Sequence, residues 1–289
     1  MKRFVIIILG FMTFGFSLFA QKEIKLYKNG SDESNGIVEK ESIQPSDFVS
    51  NISSPRMYYY PAPKETNTGS AVLICPGGGY VGVSVAKEGE EIAKWFNDLG
   101  VTAFILYYRM PNGHSEIPLK DAQTALKIIH DGAKKWNLDK NKIGIMGFSA
   151  GGHLASTVGT HFKTKAQRPD FMILAYPVVT MKKELTHSGS RENLIGKDPS
   201  DELIKLYSNE LQVTKNTPPT FIVHALDDNV VPVENSKQLL RALQDKQVPA
   251  ELHTFDEGGH GFGMRKQGIP VDNWPDLLKT WLKTNKLIK

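Results

Sequence analysis

The sequence predicts an α/β protein with a mostly parallel central sheet flanked by helices. The first observation is the repeated order of strand, loop and helix from Ser70 onward. The second is the composition of the strands, which are nearly continuous apolar runs, as is typical of strands buried on both faces of a parallel sheet. The third is the apolar spacing of the intervening helices, which follows the 3.6-residue period of one helical face.

The predicted strands and helices alternate along the chain. They are the strand AVLIC (71–75), a helix in 88–100, the strand VTAFILYYR (101–109), a helix in 119–136, the strand KIGIMGF (142–148), a helix from about residue 150, the strands FMILAYPVV (171–179) and PTFIVHAL (219–226), a helix in 233–246, the strand AELHTF (250–255) and a final helix in 274–287.

Two parts of the chain depart from this alternation. Before residue 69, EIKLY (23–27) and PRMYYYPAP (55–63) have strand-like composition, and the prolines at both ends of the second piece predict an edge strand. Residues 182–216 form a small polar insertion that fits no strand, with a helix expected around 201–207. Such an insertion either covers a site or is a solvated connection.

Length and composition indicate one globular domain after the N-terminal segment. The chain has 289 residues, 40% of them hydrophobic and 23% charged, and we assign residues 21–289 to a single domain. The net charge is +4, but the lysines are scattered and no basic stripe carries flanking aromatic residues. Nucleic acid is therefore not expected as a partner.

The N-terminus has the pattern of a secretory signal peptide. Lys2 and Arg3 precede an uncharged run of 17 residues that closes on Ala20, so we expect cleavage to leave Gln21 first. A retained membrane anchor is disfavoured because the run is at the short limit for spanning a bilayer. Secretion into a bacterial periplasm or medium agrees with the single cysteine, Cys75, which we expect to be a buried small hydrophobic residue.

A glycine loop follows the first buried strand. In ICPGGGYVGVS (74–84), Gly77, Gly79 and Gly82 have the G-x-G-x-x-G spacing of a dinucleotide site. Such a site also needs a helix opening at the glycines and an acidic residue at the end of the next strand, and neither is present. The next strand ends instead in Arg109. An arginine there could bind the 2′-phosphate of a dinucleotide, so a dehydrogenase is kept as a disfavoured alternative.

A second glycine motif predicts a nucleophile. Gly147, Ser149 and Gly151 match G-x-S-x-G between a predicted strand and a predicted helix. A nucleophilic serine at such a tight turn needs glycines on both sides, because side chains there would collide with neighbouring backbone. The alternative is a serine that only caps the helix.

A base and an acid follow Ser149 in the order that this chemistry requires. Asp227 and Asp228 stand at the end of the strand 219–226, and His260 stands in a glycine-rich loop after the last strand. The other histidines lie in predicted helices or strands, or, like His153, are expected to be structural. We therefore expect His260 to be the general base, with either Asp228 or Asp227 as its partner.

The glycine loop then has a use in the same reaction. Acyl transfer needs backbone N–H donors directed at the developing oxyanion, supplied by the residue after the nucleophile and by a loop after an earlier strand. We expect the N–H groups of Ala150, Gly78 and Gly79 to form this oxyanion hole.

These motifs identify a resemblance. The chain resembles the α/β-hydrolases of the acetyl-esterase/lipase type and is similar to bacterial acetylxylan-esterase-like carbohydrate esterases. The matching stretches are CPGGGY, LYYR, GFSAGGHLA, HALDDNVVP and GGHGFG, spread over most of 71–281. Pro76 departs from the histidine that relatives carry in HGGG. Counting from His224, the family's pattern places the acid on Asp228, with Asp227 as the alternative.

The resemblance implies an activity. It implies a Ser-His-Asp esterase that hydrolyses small acyl esters, foremost acetyl groups on plant polysaccharides or oligosaccharides, without a metal or organic cofactor. A general carboxylesterase, a feruloyl esterase and a catalytically silent binding protein of the same fold are the alternatives. Tyr80, His187 and Trp274 either border the pocket or belong to ordinary packing and surface.

Overall fold

A computed structural model describes residues 22–31 and 33–289 of the chain. The predicted signal peptide, residues 1–20, lies outside them. The strands are β1 (Lys22–Lys25), β2 (Ser42–Ile43), β3 (Phe48–Ser50), β4 (Arg56–Tyr60), β5 (Ala71–Cys75), β6 (Gly82–Ser84), β7 (Thr102–Tyr107), β8 (Ile143–Phe148), β9 (Met172–Ala175), β10 (Thr220–Ala225) and β11 (Ala250–Phe255). The α-helices are α1 (Glu91–Asp98), α2 (Glu116–Asp131), α3 (Ser149–Thr160), α4 (Ser188–Ile195), α5 (Asp201–Tyr207), α6 (Glu234–Asp245) and α7 (Trp274–Thr284).

The central sheet has the predicted class. Within the described residues it contains eight strands in the order β1-β4-β7-β5-β8-β9-β10-β11. The strands from β7 to β11 in this order are all parallel, and β1 and β4 add an antiparallel end. Helices connect the parallel strands and flank the sheet. The prediction of an α/β-hydrolase fold with a mostly parallel sheet is confirmed.

The prediction that the tyrosine-rich strand lies at an edge is wrong. Strand β4 pairs on one side with β1 and on the other with β7, so that Tyr59 lies opposite both Lys22 and Phe104. Pro55 and Pro61 stand immediately outside the strand and therefore remove no N–H group from its ladder. The polar strand β1 forms the edge instead.

The core lies around the middle strands. Every residue of β5, β7, β8, β9 and β10 is buried, as the continuous apolar runs predict. Helix α3 packs closely because its small residues leave no gap: a Cβ on Gly159 would stand 2.1 Å from Sδ of Met172. Helix α1 buries Ile92 and Phe96 on its apolar face, and each such side chain contributes roughly 1.5–3 kcal/mol to stability.

The insertion contains two helices. Helix α5 covers residues 201–207, where the sequence predicts a helix, and the side chain of Ser200 caps it by accepting the N–H of Leu203 at 3.3 Å. Helix α4 was not expected, because its sequence SGSRENLI contains residues of low helix propensity. The sequence also did not predict a small antiparallel sheet formed by β2, β3 and β6. Strand β6 begins at Gly82, the last glycine of the glycine loop.

The sheet brings the carboxyl ends of its parallel strands to one edge. At this edge the glycine loop follows β5 and Ser149 follows β8. Asp228 follows β10, and His260 follows β11. In the ranges 22–31 and 33–289, no helix has both the length and the apolar character needed to cross a bilayer.

Candidate active site

Ser149 stands at the junction of a strand and a helix. It follows the last residue of β8, opens α3 and has a φ of 51°, the left-handed conformation that costs an L-residue roughly 1–2 kcal/mol. The residue that caps α3 is Phe148, and α3 has no side-chain capping hydrogen bond. The conformation thus serves to present the Ser149 side chain, and the interpretation of this serine as a helix cap does not apply.

The flanking glycines are required by close approaches of backbone. A Cβ on Gly147 would stand 2.1 Å from the carbonyl oxygen of Gly151, and a Cβ on Gly151 would stand 2.1 Å from the carbonyl oxygen of Cys75. Neither contact can be relieved by moving a side chain. The turn therefore forms only with glycine at both positions.

His260 connects the other two predicted residues. Its Nε2 lies 2.8 Å from Oγ of Ser149, and its Nδ1 lies 2.7 Å from Oδ2 of Asp228. Because an ionised carboxylate only accepts, Nδ1 carries the proton, and the free lone pair of Nε2 accepts the hydroxyl of Ser149. Gly259 and Gly261 flank His260 with φ of 61° and 76°, which allows the loop after β11 to turn back toward α3.

Asp228 is buried and held by several donors. Its Oδ1 accepts the N–H groups of Val230 and Val231, both at 2.9 Å, and its Oδ2 accepts Nδ1 of His260. Burial alone would raise the pKa of Asp228, but hydrogen bonds from His224 and His260 outweigh it and hold that pKa well below its ordinary value. The carboxylate therefore stays ionised at neutral pH.

Asp227 has a different position. Its side chain is exposed, and its Oδ1 accepts the N–H of Gly259 at 2.7 Å, beside His260 in sequence. The structure thus brings Asp228, and not Asp227, to the imidazole. Asp227 holds the backbone of the loop that carries the histidine.

The glycine loop lies against Ser149 and offers unpaired donors. A Cβ on Gly77 would stand 2.9 Å from Cβ of Ser149, and Gly78 and Gly79 have φ of 146° and 62°. Among the described residues, none accepts the N–H of Gly78, Gly79 or Ala150. For Ala150 this is expected, since the first turn of a helix leaves its N–H groups free.

Comparison with known proteins is consistent with this arrangement. The model of the BD-FAE family matches residues 57–243, which is more than half of the chain and includes Ser149 and Asp228. The chain belongs to the BD-FAE family. His260 follows the matched range.

Two curated relatives of this BD-FAE chain have names that refer to xylan. The acetylxylan esterase of Xylanibacter ruminicola is 38% identical over 224 residues, which is 76% of this chain and 46% of that protein. The endo-1,4-beta-xylanase B of Butyrivibrio fibrisolvens is 39% identical over 204 residues, 66% of this chain and 32% of that protein. The chain spans less than half the length of either relative.

A solved structure covers nearly all of the chain. The acetyl ester-xyloside bifunctional hydrolase from Caldicellulosiruptor lactoaceticus superposes with a TM-score of 0.80 at 35% identity, over 93% of this chain and 97% of that one. The carboxylesterase Cest-2923 from Lactobacillus plantarum shares the fold, with a TM-score of 0.69 at 23% identity.

One buried residue of this BD-FAE member was missed by the sequence analysis. Glu88 lies in the π-helical turn Ala86–Glu90, is 4% exposed, and accepts the N–H of Gly77 at 2.7 Å. Burial raises the pKa of its carboxyl group above the ordinary value, against the lowering effect of Lys87. The signal was present in the sequence, because Glu88 shares a helical face with the buried residues Ile92 and Phe96.

Three residues considered in the sequence analysis have structural contacts. Arg109 forms a buried ion pair with Asp121 at 2.6 Å, so its guanidinium is already occupied by a carboxylate. His153 accepts the hydroxyl of Tyr80 at its Nδ1 and is fully buried. Cys75 is buried, and burial raises the pKa of its thiol above the ordinary value.

The predicted pocket neighbours separate into two groups. Trp274 is 1% exposed and donates to the carbonyl oxygen of Gly263 at 2.7 Å, and Tyr80 is 2% exposed. Trp274 is therefore a packing residue, whereas Tyr80, although nearly buried, also borders a polar cavity. His187 is half-buried at the start of α4, with its Cε1 3.8 Å from the place where a Cβ of Gly79 would stand. The insertion thus contacts the glycine loop.

Proposed function

We propose that this chain is a serine esterase that removes small acyl groups, foremost acetyl, from plant polysaccharides or oligosaccharides. The observation that carries the proposal is the unbroken series of contacts from Ser149 Oγ to His260 Nε2 at 2.8 Å, and from His260 Nδ1 to Asp228 Oδ2 at 2.7 Å. A hydroxyl, an imidazole and an ionised carboxylate at these distances form an activated nucleophile.

Acylation uses all three side chains. Oγ of Ser149 attacks the ester carbonyl carbon while Nε2 of His260 takes the hydroxyl proton, and Asp228 stabilises the imidazolium that forms. The tetrahedral intermediate then collapses: the bond from carbon to the alcohol oxygen breaks, and that oxygen takes the proton from Nε2. The alcohol leaves, and the acyl group remains on Ser149.

Deacylation repeats the steps with water. Nε2 of His260 takes a proton from water as its oxygen attacks the acyl carbon, and the proton then passes to Oγ of Ser149 as the acid leaves. The unpaired N–H groups of Gly78, Gly79 and Ala150 are the donors available for the oxyanion in both halves of the reaction.

The substrate class is supported by likeness. The relatives named acetylxylan esterase and acetyl ester-xyloside hydrolase are 38% and 35% identical to this chain, respectively. These names favour an acetylated xylan or xylo-oligosaccharide over the general carboxylesterase and feruloyl esterase alternatives.

Acetate release measures the activity directly. We expect kcat/KM for acetylated xylan and for p-nitrophenyl acetate to exceed the values for p-nitrophenyl esters of longer acyl chains. Ser149→Ala is expected to reduce kcat by about 10⁴-fold or more. Faster turnover of long acyl chains, or of feruloyl esters, would instead establish one of the alternative esterases.

Covalent labelling separates an enzyme from a silent scaffold. A fluorophosphonate is expected to modify Ser149, as mapped by mass spectrometry, and Ser149→Ala is expected to remain unlabelled. If the folded wild-type protein does not react, the alternative of a catalytically silent binding protein is supported.

We further infer that the protein is secreted after cleavage before Gln21 and that residues 21–289 form one catalytic domain. The inference depends on the basic, apolar and small-residue pattern of residues 1–20. Expression of the full chain with N-terminal sequencing tests it, because mature protein in the periplasm or medium is expected to begin at Gln21.

A further inference from the structure

A polar cavity of about 180 Å³ opens beside the glycine loop. Tyr80 and Val81, which follow Gly79 directly, form part of its wall, as do the side chains of Asn51, Asn112 and Asn193. A single water needs only about 10–15 Å³ of such volume, so the cavity has room for several waters. The cavity therefore suits one group of monosaccharide size.

The cavity lies within reach of the reacting ester. Val81 is two residues beyond Gly79, so their Cα atoms are at most about 7 Å apart. Nδ2 of Asn193 donates to the carbonyl oxygen of Gly79 at 2.8 Å, which connects the cavity wall to a residue of the proposed oxyanion hole. The cavity wall therefore adjoins the glycine loop that carries two of the proposed oxyanion donors.

Each of the three asparagines on the cavity wall has a side-chain acceptor without a donor from the described residues. Each amide NH₂ donates to a backbone carbonyl: Asn51 to that of Lys40 at 3.3 Å, Asn112 to that of Asn35 at 2.8 Å, and Asn193 to that of Gly79. These bonds fix each amide so that Oδ1 is left for another partner. Among the described residues, none donates to these three Oδ1 atoms.

The chemistry of the wall selects the ligand. None of the described residues that line the cavity is charged, so they offer no counter-ion to a phosphate or carboxylate group. The free Oδ1 atoms accept only, and their partner must carry donors, as a hydroxylated ring does. Val81, which is 50% exposed, and Ile37 supply apolar surface for the C–H face of such a ring.

We propose that this cavity is a sugar subsite, in which the Oδ1 atoms of Asn51, Asn112 and Asn193 accept hydroxyl groups of the sugar that carries the ester. The proposal rests on the proposed esterase function and deepens it. It makes the cavity the part of the site that distinguishes an acylated saccharide from a simple ester.

Two of the asparagines can be replaced by glycine without straining the backbone. Asn51 and Asn112 have φ of 58° and 46°, so glycine removes each side chain while favouring the same backbone conformation. Asn137 has a φ of 54° and lies outside the cavity, so Asn137→Gly controls for the backbone change. Glycine at 51 and 112 also removes the bonds to the carbonyls of Lys40 and Asn35, and an unchanged kcat/KM on p-nitrophenyl acetate is the control for that loss.

The measurement is a ratio of two substrates. For the double variant Asn51→Gly/Asn112→Gly, kcat/KM on acetylated xylo-oligosaccharides divided by kcat/KM on p-nitrophenyl acetate is expected to fall about tenfold, the effect of losing two neutral hydrogen bonds. The control is expected to keep the wild-type ratio. An unchanged ratio in the double variant overturns the subsite, whereas a wild-type protein inactive on both substrates overturns the esterase function itself.

If the double variant does not fold, competitive inhibition of the wild type and of a single variant tests the subsite instead. Unacetylated xylo-oligosaccharide is expected to inhibit hydrolysis of p-nitrophenyl acetate competitively in the wild type. Its inhibition constant is expected to rise several-fold in the single variant Asn112→Gly and to stay unchanged in Asn137→Gly. Absence of competitive inhibition of the wild type also overturns the subsite.

Discussion

The carboxylate of Glu88 accepts the N–H of Gly77 at 2.7 Å while it lies buried beneath the glycine loop. Its second oxygen accepts the hydroxyl of Tyr176 at 2.9 Å, and that hydroxyl in turn accepts the N–H of Gly263 at 3.1 Å. The ring of Tyr176 also packs edge-on against His260, with 5.0 Å between the centroids. One carboxylate thus ties the glycine loop to the loop that carries the proposed base.

Glu88→Gln is expected to reduce kcat about tenfold. Gly77 and Tyr176 both donate to Glu88, and glutamine has one acceptor oxygen in place of two, so one donor loses its partner. An unsatisfied buried donor costs roughly 1–3 kcal/mol, and either loss loosens one of the two loops. The measurement is kcat on p-nitrophenyl acetate, together with the melting temperature.

The melting temperature separates a positioning role from simple support of the fold. The unsatisfied donor is expected to lower the melting temperature by several degrees and to leave the protein folded at the assay temperature, so a fall in kcat reports the positions of the two loops and not unfolding. Glu65→Gln, at an exposed position away from both loops, is expected to leave both quantities unchanged. A Glu88→Gln protein with full kcat would show that the link between the loops is dispensable.

Asp228→Asn is expected to reduce kcat by about 10⁴-fold with little effect on KM. Asparagine can present its NH₂ to Nδ1 of His260, which stabilises the tautomer with the proton on Nε2, and that ring no longer accepts from Ser149. Steady-state kinetics on p-nitrophenyl acetate measure the effect.

Asp227→Asn is the matched control for Asp228→Asn. The Asp227 side chain touches the N–H of Gly259 and not the imidazole, and an amide oxygen can still accept there. We expect a change in kcat below tenfold. The reverse order of the two effects would reassign the acid to Asp227.

Alanine at two adjacent glycines of the loop is expected to have unequal effects. A Cβ on Gly78 would stand 2.2 Å from the carbonyl oxygen of Gly82, so the loop must shift, and kcat is expected to fall at least 10²-fold, as when one oxyanion donor is lost. At Gly79 the nearest atom to a Cβ is 3.8 Å away, leaving a backbone cost of roughly 1–2 kcal/mol. Equal losses of kcat in the two purified variants would contradict the proposed role of Gly78 in the oxyanion hole.

The site residues that could be predicted from the sequence are those that follow the ends of strands. Ser149, Asp228 and His260 follow β8, β10 and β11, and a parallel sheet brings those ends to one edge whatever the intervening segments do. The family pattern favoured Asp228, but the residues alone left Asp227 as an alternative, because adjacent side chains at one turn differ by a single position in the sequence. Only the backbone shows which one turns inward.

The parts that the sequence did not locate depend on contacts between distant segments. Glu88 stands in the acidic run EGEE, where Glu90 is exposed and Glu91 is partly exposed, and its spacing from Ile92 and Phe96 was its only signal of burial. The π-helical turn places its carboxylate beneath the loop. Helix α4 is short and rich in glycine and serine, so its propensity is low. It is capped by His187, whose Nδ1 accepts the N–H of Ser190 at 3.2 Å, and contact with the glycine loop through Asn193 helps hold it.

The stability of the protein is expected to fall in mild acid because of His153. Its Nδ1 accepts the hydroxyl of Tyr80 and its Nε2 donates to the carbonyl oxygen of Tyr207, both at 2.8 Å, so the neutral ring is fully bonded. Burial lowers the pKa of His153 to about 4, from an ordinary value of 6.5. Between these two pH values the unfolded chain binds a proton that the native protein does not.

The sign and size of the effect follow from this difference in pKa. The contribution of neutral His153 is fully present above about pH 6.5 and is lost as the pH falls toward 4, for a total of about 3 kcal/mol in the free energy of unfolding. Urea unfolding at pH 7, 5.5 and 4.5 measures the slope. His153→Gln is expected to flatten the slope, whereas the exposed control His114→Gln is expected to keep that of the wild type. Identical slopes in the wild type and His153→Gln would mean that the buried imidazole takes up its proton without opening the packing around Tyr80.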